Sequence, residues 1–327
     1  MPIGTHLVLH EHADHKTIPN DGRRLGSVVA EAARRFRCPM AIPLMDLKLE
    51  KEAMLSARGI APEDIDAFHF DEIPADSGEV RLTRRMNAVC EAIRHVSEET
   101  DLLPVGMGIG PFSLMTKLIS DPITPVFLAG SGATAEDDDE VALLETLLEM
   151  AAATVGCYLD AQIQAGARAI IVCEPAANQV YFSPNQLKES HEVFDRFVID
   201  LNRAIRNQLA TSDADLIFHD CGELTEGMVQ RFASLDPAVL SLGSSRRLWE
   251  DAALVSKSTV LYGNLPTKQF YSDELVPPGR VRKLSEELQK RMREAGHPFI
   301  LGSECDVLSV PGREQSIMAK VEEFLAV

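Results

Sequence analysis

Two cysteines and a histidine carry the most distinctive chemistry in this 327-residue chain. The short apolar run Asp215-Leu216-Ile217-Phe218 leads into His219-Asp220-Cys221-Gly222. On extended backbone, residues two apart point to the same side, so His219 and Cys221 can face one ion together. Gly222 marks the turn that follows. Cys305 comes 84 positions after Cys221, in Gly302-Ser303-Glu304-Cys305-Asp306, again behind an apolar run, His297-Pro298-Phe299-Ile300-Leu301. One nitrogen and two sulfurs leave a tetrahedral metal one open position, which is how a catalytic zinc site is built. The competing reading is three buried side chains without a ligand. Glu174, Glu223 and Glu304 could each add an oxygen, and spacing does not choose among them.

The donor types indicate the reaction. Two thiolates and a neutral imidazole suit a soft metal whose free position accepts a substrate thiol and deprotonates it. The bound thiolate is then a nucleophile at neutral pH. Hydrolytic zinc more often has three histidines, or two and a glutamate. The protease pattern His-Glu-x-x-His is absent.

The elements that must position these residues follow from periodicity. Apolar runs predict eight strands, at 39–45, 67–70, 103–109, 167–172, 216–219, 238–241, 259–262 and 298–301. Amphipathic or capped stretches between them predict helices, including 22–36, 81–99, 140–165, one from 183 to 209, 279–295 and 313–325. Eight strands alternating with helices predict an α/β fold, a single (β/α)8 TIM barrel over residues 25–327 behind an amino-terminal arm, 1–24. Chemistry in such barrels sits at the carboxyl ends of the strands. Asp46, Asp71, Glu174, His219, Cys221, Asn264 and Cys305 all fall at predicted strand ends. Helix capping is an equal account of Asp71 but not of the two thiols. His6, His10, His12 and His15 read as part of an arm that packs on the domain or on a partner subunit, which leaves a homodimer open. The glycines around Gly110 match neither the P-loop nor the dinucleotide fingerprint.

Composition bounds the partners. With 32 basic and 50 acidic residues the formal charge is -18, which opposes a broad role in binding nucleic acid. Six scattered cysteines in a large chain predict reduced thiols and a cytoplasmic protein. No signal peptide is evident, and no run approaches the ~20 apolar residues that span a bilayer.

Phe218-His-Asp-Cys-Gly222, Gly263-Asn-Leu265, Phe299-Ile-Leu-Gly-Ser-Glu-Cys305, Gly110-Pro-Phe112 and Met45-Asp-Leu-Lys-Leu-Glu50 together resemble the uroporphyrinogen decarboxylase superfamily. They are closest to its methylcobalamin:coenzyme M methyltransferase branch, from about residue 25 to the end. The resemblance implies a barrel with zinc (Zn2+) in its mouth, held by His219, Cys221 and Cys305. The zinc would activate a thiol that takes a methyl group from methylcobalamin on a corrinoid protein. It assigns catalytic roles to Glu174 and Asp46, and substrate binding to Glu50, Asn178 and Asn264. The chain departs from the decarboxylases in lacking an arginine-rich amino-terminal motif such as Met-Arg-Gln-Ala-Gly-Arg, which argues against decarboxylation. Gly312-Arg-Glu-Gln315 stands where many relatives carry an Asn, so the acceptor is coenzyme M or another small molecule. No Asp-x-His-x-x-Gly motif is present, so the corrinoid would arrive on a separate protein. The alternatives are a decarboxylase-like lyase and a non-catalytic subunit that binds a corrinoid protein.

Overall fold

A computed structural model describes residues 4–75 and 78–327; residues 1–3 of the predicted arm lie outside them. Seven strands in the described residues form one parallel sheet in chain order: β1 Met40–Ala41, β2 Leu103–Ile109, β3 Ala169–Cys173, β4 Asp215–Asp220, β5 Val239–Leu242, β6 Val260–Leu265 and β7 Phe299–Ser303. The central strands are continuous apolar runs because both of their faces are covered; every residue of β3 is buried. Helices return the chain between strands, among them Arg84–Glu99, Asp139–Gln164, Asp200–Leu209 and Arg280–Ala295, while Gly22–Arg35 precedes β1 and Glu314–Leu325 follows β7. Side-chain oxygens cap several of them. Thr83 accepts from Met86 N, and Asp138 from Glu140 N and Val141 N.

The sheet curls. Ile42, Val105, Met107, Ala169, Ile171, Cys173, Ile217 and Tyr262, drawn from the β1 flank, β2, β3, β4 and β6, meet in one inner cluster. The opposite faces of the strands pack against the helices in a larger outer core.

The expected closed eight-stranded barrel is not formed: the sheet has seven strands, and β7 and β1 share no ladder among the described residues. Residues 67–70 are not a strand. Their backbone groups find separate partners instead: Phe70 N donates to Leu118 O at 2.7 Å, and Lys51 Nζ donates to Phe68 O at 2.9 Å. The Phe68 and Phe70 rings pack edge to face. The first strand shrinks to Met40–Ala41 because Pro43 has no N–H for a ladder and Thr5 Oγ1 takes the Ile42 carbonyl, at 3.1 Å. The gap between β7 and β1 is filled by apolar packing. Leu7 and Val8 of the Thr5–Glu11 helix join Leu25, Val307, Ile317 and Val321 there.

The long helix expected over 183–209 is also interrupted. Pro184–Glu189 stops at Ser190, which is extended, and a π-helical turn over Asp195–Ile199 precedes Asp200–Leu209. Helix Asp139–Gln164 is long and apolar enough to cross a bilayer, yet half of its most apolar window is buried inside the protein.

Candidate metal centre

Strand alternation decides which side chains enter the mouth of the curled sheet. Ile217 of β4 lies in the inner cluster, so His219 and then Cys221 follow it on the same face. Asp220 between them turns outward, is fully buried, and accepts from Gly222 N at 2.7 Å. Burial pushes its pKa well above the usual carboxylate range. On β7 the inner face belongs to Ile300 and Gly302, which pair with Tyr262 and Asn264, while Phe299 and Leu301 pack in the outer cores. Cys305 lies two residues past the strand end and is brought to Cys221 by the turn that follows, with Ser303 N donating to the Tyr262 hydroxyl at 3.3 Å.

One imidazole nitrogen and the two sulfurs lie within 4.8 Å of one another, and the sulfurs are 3.9 Å apart. Two Zn–S bonds of about 2.3 Å at the tetrahedral angle would separate their sulfurs by about 3.8 Å. His219 pairs in register with Ser241 of β5, whose Oγ is 3.0 Å from Nδ1. With the proton on Nδ1, donated to Ser241, Nε2 presents a lone pair; it is buried and has no hydrogen-bond partner. Burial lowers the His219 pKa, which favours the neutral imidazole that a metal needs. The Cys221 thiol donates to the Cys305 sulfur; with His219 beside it, this holds the Cys305 pKa below the usual thiol range and pushes the Cys221 thiol up. An orphaned imidazole nitrogen, a favoured thiolate and a sulfur spacing matched to zinc make this donor set fit the metal.

The surroundings tighten the site. Gly243 ends β5 against Cys221; a Cβ there would lie 2.8 Å from the Cys221 carbonyl oxygen, so only glycine allows the approach. Lys268 Nζ reaches the Cys221 carbonyl at 3.4 Å and Glu304 Oε2 at 3.8 Å. Burial pulls the Lys268 pKa down, but Cys221, Glu304 and Cys305 outweigh it and the pKa rises.

The structure brings together His219, Cys221 and Cys305 as one donor set, and holds the other expected site residues in hydrogen bonds and ion pairs with neighbouring groups. Asp46 pairs with Arg85, which also holds Glu52 at 2.9 Å. Glu50 is buried, with Oε1 accepting from Ile109 N at 3.1 Å and Oε2 without a partner; burial pushes it up to about 8. Glu174 follows the inward Cys173 and so turns outward, where it accepts from Phe112 N, Ser113 N and Asn202 Nδ2 at 3.2, 2.8 and 2.9 Å. Burial raises its pKa. Asn178 ties its own loop through Pro175 O and Val180 N. Asn264 Nδ2 donates to Gly243 O and Arg246 O, joining two strand ends. Of the three glutamates open as a fourth ligand, Glu304 is taken by Ser244 N and Oγ, at 3.1 and 2.6 Å. Glu223 is exposed.

Sequence reasoning passed over Ser241, Lys268 and Met45. Ser241 ends an apolar strand and could have been noticed as its one polar residue. Met45, whose Sδ lies 3.7 Å from Cys305 Sγ, reads in sequence as core.

Comparison with known proteins agrees with this architecture. The sequence pattern of the family described as uroporphyrinogen decarboxylase (URO-D) matches residues 10–318. A uroporphyrinogen decarboxylase of Tolumonas auensis is 23% identical, across 97% of this chain and 87% of that protein. Among solved structures, a methyltransferase from Methanosarcina mazei superposes with a TM-score of 0.66 at 18% identity, covering 98% of this chain and 90% of that one. At that identity the likeness concerns the fold. The match over nearly the whole chain, on the parallel curled sheet described above, places this protein in the uroporphyrinogen decarboxylase family.

Proposed function

We propose that this member of the family is a zinc-dependent methyltransferase, which moves a methyl group from a methylated corrinoid, carried on a separate protein, to a small thiol. The observation that carries the reading is the convergence of His219, Cys221 and Cys305 at zinc-like spacing at the strand ends. Zinc in a two-thiolate, one-imidazole set would supply a low-pKa site for one further thiol. This chain's residues do the rest. Ser241 orients His219, Gly243 lets Cys221 approach, and Lys268 places positive charge beside sulfurs that become more negative when a third thiolate joins them. In the transfer the S–C bond forms as the Co–C bond breaks, the electron pair of that bond stays on cobalt, and the thiol proton goes to solvent.

A decarboxylase of a polycarboxylate would need unpaired cations in the mouth. Arg85 and Arg246, which reach strand-end loops, are instead paired with Asp46 and Asp251. Docking of a donor protein is supported by exposed apolar side chains in segments that follow strand carboxyl ends: Ile73, Phe127, Val180, Leu275 and Leu308. Six free cysteines accord with a reducing compartment, the cytoplasm.

The test is metal analysis of the purified chain, followed by methyl transfer from methylcobalamin to a panel of small thiols. One zinc per chain and thiol methylation that both vanish in Cys221→Ser and Cys305→Ser support the reading. Full zinc occupancy in the double variant would sink it.

A further inference from the structure

The two cysteine sulfurs are joined by a third sulfur. Cys221 Sγ and Cys305 Sγ are 3.9 Å apart, and Met45 Sδ lies 3.7 Å from Cys305 Sγ. Met45 follows β1 and packs, partly buried, against the inner cluster. It therefore reaches Cys305 from the opposite edge of the sheet, across the gap where β1 and β7 share no ladder. The three sulfurs lie in sequence, with Cys305 in contact with both Cys221 and Met45. With Cys221 and Cys305 holding zinc as thiolates, the Met45 thioether would be free to bind the same ion. Both spacings are near the roughly 3.8 Å expected for ligand sulfurs on tetrahedral zinc.

Each nearby carboxylate has at least one oxygen engaged, although Asp220 Oδ2 and Asp306 Oδ1 are buried without a partner. Glu304 is held by Ser244, Glu174 by Phe112, Ser113 and Asn202, and Asp220 by Gly222 N. Asp306, next to Cys305, faces His6 Nε2 at 3.4 Å.

We propose that Met45 supplies the fourth ligand of the zinc when no acceptor is bound, and that the acceptor thiol takes its place. The proposal rests on the zinc reading above. Its chemical sense is charge. A thioether is soft enough for a sulfur-rich zinc site, carries no charge and keeps the centre neutral. An incoming thiolate is the stronger ligand and displaces it, whereas a fixed carboxylate or third cysteine would resist exchange. Met45 then becomes an apolar wall beside the bound thiol.

The experiment is zinc-edge X-ray absorption on the full-length, zinc-loaded protein with its methionines replaced by selenomethionine. Selenium scatters distinctly from sulfur and is seen only in the first shell of the ion. One selenium, two sulfurs and one nitrogen are expected in the thiol-free protein. The selenium shell is lost in Met45→Leu, which keeps its zinc and both sulfurs, and is replaced by sulfur on adding 2-mercaptoethanol. Zinc bound by two sulfurs and light atoms only, in the labelled wild-type chain, overturns the assignment of Met45 and leaves the metal centre standing. A selenium shell that persists at saturating thiol overturns the exchange. Absence of zinc overturns the reading on which the proposal rests.

Discussion

Glu50 offers the clearest quantitative test of the structure, because it is a buried carboxyl with no ion-pair partner among the described residues. It is 1% exposed, only one of its oxygens has a hydrogen-bond partner, and its pKa is pushed from 4.5 up to about 8, chiefly by burial. Asp46 adds to the rise, and Lys117 opposes it. Between those pH values the unfolded chain releases the proton while the folded chain retains it. The folded state then binds more protons, so stability falls as pH rises, at up to about 1.36 kcal/mol per pH unit. From pH 5 to pH 8 the loss from this one group comes to about 3.5 kcal/mol. Glu50→Gln imitates the protonated form, keeps an acceptor for Ile109 N, and removes that slope. Burial also raises Glu174, Asp220 and Asp306, so the wild-type curve by itself mixes several groups. The difference between wild type and variant isolates Glu50. Urea unfolding of both proteins, followed by circular dichroism at half-unit steps from pH 5 to 8, measures it. The variant should gain on the wild type steadily as pH rises. A difference that stays flat within about 0.5 kcal/mol across this range would refute the neutral, buried Glu50 on which the calculation rests.

Three further outcomes probe the metal centre. Ser241→Ala removes the hydroxyl that orients His219 and should weaken zinc binding about 10–100-fold, read by competition with a chromogenic chelator; unchanged affinity means the imidazole is held by packing alone. Gly243→Ala sets a methyl 2.8 Å from the Cys221 carbonyl oxygen, so backbone must shift; a stability loss of about 1–3 kcal/mol and weaker zinc binding are expected in denaturation and metal titrations. Asn202→Ala deletes a donor to the buried Glu174 and should destabilise the fold by about 1–3 kcal/mol without altering zinc affinity; a lost metal would instead connect Glu174 to the centre.

Much of this protein is local in origin and therefore legible in its sequence. The alternation of apolar runs with amphipathic helices demands a parallel sheet covered on both faces, since such strands cannot leave either face in water. The spacing of His219 and Cys221 is a property of extended backbone, whereas Cys305 is brought to them by the turn after β7. What the sequence leaves undecided depends on contacts between distant segments. Residues 67–70 carry the composition of a strand, but Lys51 and Leu118 claim their backbone groups first. Glu174 and Cys173 look alike as strand-end polar residues; one peptide of register sends the thiol inward and the carboxylate out to Phe112, Ser113 and Asn202. Ser241 matters because parallel register sets it beside His219, and Met45 because the sheet curls until its first and last strands nearly meet. Local sequence dictates which way a side chain points, but only the closed packing of the whole chain determines what it meets there.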